Sequence, residues 1–118
     1  MRGYYSIIQY CPDMSRAEAA NVGLVLITQE LRVCCDMDMV RVKRFFDLSE
    51  EDLEYAQQSL ESFERRVLND DKLAKLSNMA GFIATRANQF KMTPLRNCRV
   101  TQIDETLSRL FQALVIGK

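Results

Sequence analysis

The sequence predicts a single α+β domain over residues 1–118, in which an antiparallel sheet with a β-hairpin is covered by helices mainly on one face. Two observations lead to this fold class. Short β-prone apolar segments are grouped early in the chain, and segments with helical periodicity follow in the middle and at the end. A chain of 118 residues also has the length of one domain and can bury a hydrophobic core without disulfides or a metal.

Three strands are predicted in the first third of the chain. Tyr4–Tyr10 is rich in aromatic and β-branched residues and stops before Pro12. Val22–Ile27 is continuously apolar, which is typical of a strand covered on both faces. In Leu31–Met37 every second residue is apolar, and the segment follows a short polar break at residues 28–30. We therefore expect it to form a hairpin with the preceding strand.

Helices are expected in the middle of the chain. The apolar residues of Met39–Phe46 follow neither the helical nor the strand period cleanly. This segment is therefore predicted either as a short helix or as a further antiparallel strand. The clearest helix is predicted over Ser49–Leu68, where apolar residues recur at spacings of three and four. Its start resembles a capping box formed by Ser49 and Asp52.

The next segment is predicted as a helix followed by two strand pieces. The helix covers about residues 72–80 and ends at Gly81. The strand pieces are Phe82–Thr85 and Phe90–Thr93, and Pro94 ends the second of them.

A basic loop and a last helix complete the predicted fold. Thr101 and Asp104 form a second pair that resembles a capping box, at the start of a strongly amphipathic segment. Gly117 is predicted to end this helix.

The composition excludes several chemistries. The chain contains no histidine, which removes Ser-His-Asp and Cys-His catalysis and the two-histidine metal motifs. The four cysteines, Cys11, Cys34, Cys35 and Cys98, show no C-x-x-C spacing, and Cys34 and Cys35 are adjacent. We therefore predict no metal site and no cofactor, and we interpret the cysteines as buried thiols.

Charge and hydropathy bear on location and partners. Lys plus Arg and Asp plus Glu both number 16, so the net charge is zero and gives no general attraction for nucleic acid or an anionic membrane. No apolar stretch approaches the ~20 residues that span a bilayer, and the first residues lack the apolar core of a signal peptide. The sequence predicts a cytoplasmic protein without membrane association, and it disfavours nucleic acid as a partner.

The candidate polar site consists of Arg16, Glu18, Asn21 and Arg86. In the functional interpretation these residues converge at one end of the sheet, where Glu18 acts as a general base or anchors an arginine. The two arginines would hold a phosphate or a carboxylate in bidentate fashion, and Asn21 would orient either group. We assign no residue as catalytic.

The structural interpretation of the same corner is a capped turn that leads into a central strand. Ser15-Arg16-Ala17-Glu18 matches the S-x-x-E capping pattern. Asn21 tolerates the left-handed conformation, and Gly23 permits a bulge or a close backbone approach. The sequence favours this interpretation over a binding or catalytic site.

Two basic segments are further candidates. Lys91, Arg96 and Arg99 lie close to Phe90, which suggests nucleic-acid binding, although a solvated loop is the favoured interpretation. Residues 41–46 combine three bases with two phenylalanines, so they form either a partner surface or a core segment with a basic rim.

Two blocks of the sequence, one towards each end of the chain, carry a recognisable pattern. The first block is "YSIIQYCPDMSRAEAANVGLVL", and the second is "GFIATRANQFKMTPLRN" followed by "LSRLFQALV". Both blocks resemble domain-of-unknown-function family 3037, a bacterial and phage family. The commoner form of the second block has Pro before the arginine and Ser after it, whereas this chain has Thr85-Arg86-Ala87. The positions that match the first pattern are Tyr10, Pro12, Asp13, Arg16, Glu18, Asn21, Val22 and Gly23.

The resemblance implies a protein partner and brings no activity with it. The implied partner is a kinase of the persistence-toxin type, and the implied setting is toxin–antitoxin regulation or phage defence. The leading hypothesis is a non-enzymatic cytosolic accessory protein that acts on a protein partner, with a homodimer as a further expectation. The alternative is a small enzyme or ligand-binding domain that uses Glu18 and nearby arginines on a phosphorylated or nucleotide substrate.

Overall fold

The computed structural model describes residues 1–12, 18–84 and 89–116. A 3₁₀ turn at Asp71–Ala74 precedes the third α-helix, and a π-helical turn at Gln112–Ile116 continues the fourth. The elements in chain order are β1 (Arg2–Tyr10), β2 (Ala20–Ile27), β3 (Leu31–Cys35), α1 (Met39–Phe46), α2 (Glu50–Leu68), α3 (Leu76–Ala84), β4 (Phe90–Met92), β5 (Arg96–Arg99) and α4 (Ile103–Phe111).

β1 is the centre of an antiparallel sheet with the order β3-β2-β1. The other edge of β1 is shared by two short strands, with β4 opposite Ile8–Tyr10 and β5 opposite Arg2–Tyr5. Thr93 lies between them, and its backbone N–H donates to the carbonyl oxygen of Ile7 at 3.0 Å. The predicted hairpin of the second and third strands is confirmed.

The sheet separates two apolar layers, as the continuous apolar run of β2 predicts. Val25 and Ile27 belong to the larger layer, beneath α1, α2 and α3. Leu24 faces the opposite side and packs against Phe111 and Val115 at the C-terminal end. The α+β class is confirmed, with three helices on one face and α4 on the other.

The segment that the sequence left open between helix and strand is helical. The carboxylate of Asp38 accepts a hydrogen bond from the backbone N–H of Arg41 at 3.1 Å and so caps α1. α1 ends at Asp47, which has a left-handed φ of 53°. The predicted cap of α2 is confirmed, because Ser49 Oγ accepts from the backbone N–H of Asp52 at 3.1 Å.

The prediction that Gly81 ends a helix and that Phe82 begins a strand is wrong. α3 begins at Leu76, after the 3₁₀ turn, and continues through Gly81 to Ala84. A glycine inside a helix costs only about 1 kcal/mol, and packing outweighs that cost here. The ring of Phe82 lies 5.9 Å from that of Phe63 on α2, and the guanidinium of Arg66 lies over it at 5.5 Å. Thr85 lies outside the described residues.

Two predictions near the C-terminus also need correction. The basic loop is in part a strand, because β5 is held by pairing with β1. The side chain that caps α4 is Gln102, one residue after the predicted Thr101, and its Oε1 accepts from the backbone N–H of Glu105 at 2.7 Å. Gly117 lies outside the described residues.

Candidate functional site

The structure describes two of the four residues of the candidate polar site. Glu18 is half-buried just before β2, and Asn21 lies within β2. Arg16 and Arg86 fall in residues 13–17 and 85–88, outside the described residues. Their convergence with Glu18 therefore stays a prediction.

The chain segments that flank the undescribed stretches are neighbours. Tyr10 at the end of β1 is paired with Phe90 at the start of β4. Beyond this pair, the backbone N–H of Cys11 donates to the carbonyl oxygen of Gln89 at 2.6 Å. The first and second sequence blocks thus meet at one end of the sheet.

Asn21 links three parts of the fold. Its Oδ1 accepts a hydrogen bond from Gln9 Nε2 at 2.9 Å, and its Nδ2 donates to the carbonyl oxygen of Leu114 at 2.9 Å. Asn21 does not use the left-handed conformation that its residue type tolerates, since it is a strand residue and, among the described non-glycine residues, only Asp47 has a positive φ. Its amide holds the C-terminal helical turns against the sheet.

The backbone around Asn21 is shaped by a β-bulge and a glycine. The register between β1 and β2 shifts between Ile8 and Gln9, which are opposite Gly23 and Asn21. A Cβ atom at Gly23 would lie 2.8 Å from Cys35 Sγ and 3.2 Å from the carbonyl oxygen of Cys34. The predicted close approach at Gly23 is confirmed, and it explains why no side chain is present there.

Two small clefts open beside Asn21. One, of about 190 Å³, lies between β2, the β3–α1 connection and the C-terminal turns, and the other, of about 210 Å³, lies between β2 and α1. Arg41 lines both clefts, and Asp36 and Asp38 line the first. In the second cleft, whose described lining residues include no carboxylate, the guanidinium of Arg41 could hold a carboxylate or a phosphate. Arg41 belongs to a basic run of the sequence, but its proximity to Asn21 arises from tertiary packing and leaves no local sequence signal.

The thiols of three cysteines are held in the protonated form at neutral pH. Burial raises the pKa of Cys35, and the nearby Glu64 carboxylate raises it further. Burial also raises the pKa of Cys34 and of Cys98, and for Cys98 the neighbouring Arg109 opposes the change. A protonated thiol is a poor nucleophile, and Cys34, Cys35 and Cys98 are half-buried, so these three cysteines suit packing better than catalysis. The prediction that the cysteines are buried is confirmed for Cys11 and is wrong for the other three.

The described residues contain neither a metal-binding cluster nor a membrane-spanning helix. In residues 1–12, 18–84 and 89–116 no group of three or more Cys, Asp or Glu side chains is arranged to hold a metal ion. Within the same ranges, no helix combines the length and the apolar composition needed to cross a membrane.

The basic segment at 41–46 is divided between core and surface. Phe46 packs inward, with its ring edge-on to Tyr10 at 5.5 Å. Phe45 points outward and is 60% exposed, and Val40 is 71% exposed. We call the solvent-facing side of α1, formed by Val40, Arg41, Arg44 and Phe45, the α1 surface.

The second basic segment lies on the free edge of the sheet. Arg96 and Arg99 are exposed residues of β5. The register of β1 and β5 places Arg2 directly opposite Arg99, which no local sequence signal could have shown. A cavity of about 390 Å³ opens at this pair.

Comparison with known proteins gives one informative result. No match was found among curated proteins or among solved structures. A family described as "Protein of unknown function (DUF3037)" matches residues 5–115, which include both sequence blocks and all four residues of the candidate polar site. Because the match covers nearly the whole chain, this protein belongs to the DUF3037 family.

Proposed function

We propose that this protein is a non-enzymatic accessory protein that binds an acidic protein partner through the α1 surface. The observation that carries the proposal is the exposure of two large apolar side chains on one short helix, Val40 at 71% and Phe45 at 60%. A single exposed apolar side chain is ordinary, but an aromatic and an aliphatic residue that flank two arginines have the composition of an interface.

The helical repeat gives the α1 surface its shape. At 3.6 residues per turn, Arg44 and Arg41 lie between Val40 and Phe45 on the outer side of the helix. Val42 lies on the inner side and is buried. Arginine and aromatic residues are enriched at the centres of interfaces, so the outer side suits recognition while the inner side supports the core.

The charge of α1 indicates the kind of partner. The helix sequence MVRVKRFF contains three cations and no carboxylate. Lys43 forms an ion pair with Glu50, whereas neither Arg41 nor Arg44 pairs with a described carboxylate. A partner with acidic residues around an apolar centre would complement both properties, and its association rate would fall with ionic strength.

Clefts on both sides of α1 provide room for partner side chains. A groove of about 550 Å³ separates the Val40 side from the start of α2, and its lining includes Leu48 and Leu53. The cleft of about 210 Å³ lies on the Phe45 side, against Ala19 and Ala20. The helix is therefore a ridge between two depressions, which gives a partner both a contact surface and anchoring sites.

The family resemblance suggests a first partner to test. A kinase of the persistence-toxin type is that partner, and the protein would regulate it in a toxin–antitoxin or phage-defence setting in the cytoplasm. A second copy of the chain is the competing occupant. It is disfavoured because three cations on each α1 would repel one another across a symmetric interface.

The test is a binding measurement with matched aromatic variants. The kinase is purified, or a partner is first captured from the native host, and its affinity is measured calorimetrically for wild type, Phe45→Ala and Tyr55→Ala. Tyr55 on α2 is a suitable control because it is also an exposed aromatic residue, at 56%. We expect Phe45→Ala to weaken binding by about tenfold or more, and Tyr55→Ala to have little effect.

Two further arms decide between this proposal and its rivals. Equal loss in both aromatic variants, or concentration-dependent dimerisation that Phe45→Ala abolishes, would contradict an acidic partner at the α1 surface. A Glu18→Ala, Arg86→Ala double variant tests the candidate polar site. Loss of binding in that variant alone, with the fold intact, would move the interaction to the corner between β1 and β2.

A further inference from the structure

The β1–β5 strand pair places two arginines directly opposite each other. Arg2 and Arg99 are Cα partners in the antiparallel register, and both are exposed. Like charges at directly opposed positions destabilise a strand pair. Neither guanidinium pairs with a carboxylate in the part of the chain that the structure describes.

The two chain segments that contain this strand pair carry cations and no carboxylate. Residues 1–12 and 89–103 contain Arg2, Lys91, Arg96 and Arg99, and they contain no Asp or Glu. The nearest carboxylate along the chain, that of Asp104, pairs with Arg32 of β3 at 3.5 Å. The zero net charge of the chain therefore conceals a local positive surface at this edge of the sheet.

The next residue pair on the same face adds recognition groups. Alternate residues of a strand share a face, so Tyr4 and its partner Asn97 lie beside Arg2 and Arg99. Tyr4 is half-buried and its ring contacts no other aromatic ring among the described residues. The side-chain amide of Asn97 is exposed and makes no hydrogen bond within the described chain.

The arginine pair also borders a concave space. The cavity of about 390 Å³ is lined by Met1, Arg2, Asn97, Cys98 and Arg99. That volume lies within the range of sites that bind small ligands. A phosphate and its sugar could thus be held against the arginines while a base extends over the neighbouring residues of the sheet.

We propose that this face of β1 and β5 binds single-stranded nucleic acid. Arg2 and Arg99 hold the phosphodiester through their guanidinium groups, Tyr4 stacks on a base, and Asn97 forms a hydrogen bond with the edge of that base. An anionic lipid surface would satisfy the arginines but would leave the ring of Tyr4 and the amide of Asn97 without a role. The negative phosphates offset the repulsion between the two guanidinium groups, so bound nucleic acid would stabilise the arginine pair.

The test is fluorescence anisotropy with labelled oligo-dT and oligo-U at low salt. Arg99→Gln removes one charge of the pair, and Arg65→Gln is the matched control because it removes one exposed arginine from α2, outside both proposed surfaces. We expect Arg99→Gln to weaken binding by about tenfold and to reduce the slope of log affinity against log salt by about 0.7. Tyr4→Leu keeps an apolar side chain but removes stacking, and it should also weaken binding by about tenfold.

Thermal unfolding separates a binding effect from a folding effect. Because Arg99→Gln relieves like-charge repulsion, its melting temperature without ligand should equal or exceed that of wild type. No binding at low salt, or equal weakening by Arg65→Gln and Arg99→Gln, would overturn the proposal. Binding to anionic phospholipid vesicles without binding to either oligonucleotide would overturn it as well. No residue of α1 lines the cavity at Arg2 and Arg99, so the outcome is independent of the proposed protein partner.

Discussion

Asn21 in β2 donates a hydrogen bond to the backbone carbonyl oxygen of Leu114 at 2.9 Å, across 93 positions of sequence. The same amide accepts from Gln9 on β1. One side chain thus joins the two central strands to the C-terminal helical turns. A residue of the candidate polar site therefore has a structural role, whether or not the corner around it also binds a ligand.

Asn21→Ala should destabilise the protein and loosen its C-terminal end. Two partly buried hydrogen bonds are lost and their partners are left unpaired, so the free energy of unfolding should fall by about 1–3 kcal/mol. Urea unfolding measures this loss, and amide hydrogen exchange should rise in residues 112–116. Asn78→Ala is the control, because Asn78 Nδ2 donates to the carbonyl oxygen of Lys72 at 2.9 Å in an exposed position. Equal losses in both variants would contradict the proposed role of Asn21.

Gly23→Ala and Gly81→Ala should change stability in opposite directions. A Cβ at Gly23 meets Cys35 Sγ at 2.8 Å, so overpacking should lower the free energy of unfolding by about 1–3 kcal/mol. A Cβ at Gly81 meets nothing within 4 Å and lies inside α3, so alanine should raise it by about 0.5–1 kcal/mol. Urea unfolding of the two variants and of wild type measures both changes in the free energy of unfolding.

A double variant checks the cause assigned to Gly23. Cys35→Ala removes the sulfur that the new Cβ would meet, so it should recover part of the loss caused by Gly23→Ala. Strictly additive effects of the two substitutions would show that the contact with Cys35 is not responsible.

The adjacent phenylalanines of α1 should differ in their effect on stability. Phe46→Ala removes a ring that packs edge-on to Tyr10, and it should lower the free energy of unfolding by about 2 kcal/mol or more. Phe45→Ala removes a mostly exposed ring whose edge contact with Phe46 has a centroid distance of 4.8 Å, and the loss should stay within about 1 kcal/mol. Chemical denaturation measures both. A large loss for Phe45→Ala would mean that Phe45 serves the fold and not a partner.

Alkaline pH should destabilise the protein partly through Cys35. Burial, aided by Glu64, raises the pKa of this thiol in the folded state, so the unfolded chain releases the proton first. The stability that the protonated Cys35 thiol contributes is fully present below about pH 8.5, the pKa of a cysteine thiol in an unfolded chain. This stability is lost progressively as the pH rises above that value. Cys35→Ala should therefore make the fall of stability shallower.

The Cys35 prediction is tested by urea unfolding from neutral to alkaline pH. The quantity compared between variants is the slope of the free energy of unfolding against pH. Cys98→Ala is the control, because Arg109 opposes the effect of burial on the pKa of Cys98. Burial also raises the pKa of Tyr10, so a residual decline should remain in both variants. Identical slopes for wild type and Cys35→Ala would contradict the assignment.

The sequence alone was sufficient to predict the features that depend on residues close together in the chain. The cap of α2 could be predicted because Ser49 and Asp52 are three residues apart, and β2 could be predicted from its continuous apolar run. The family could be identified from two short blocks because their residue patterns are contiguous. Absence of histidine likewise excluded whole classes of catalysis without any structural knowledge.

Tertiary packing settled the features whose causes lie far apart in the chain. β5 has no apolar alternation and is a strand because its backbone pairs with Arg2–Tyr5, and α3 passes through Gly81 because Phe82 packs on Phe63. The hydrogen bond between Asn21 and Leu114 leaves no periodic trace in either segment. Periodicity and capping report interactions within about one turn of chain, whereas pairing, burial and the opposition of two arginines depend on which distant segments the hydrophobic core brings together.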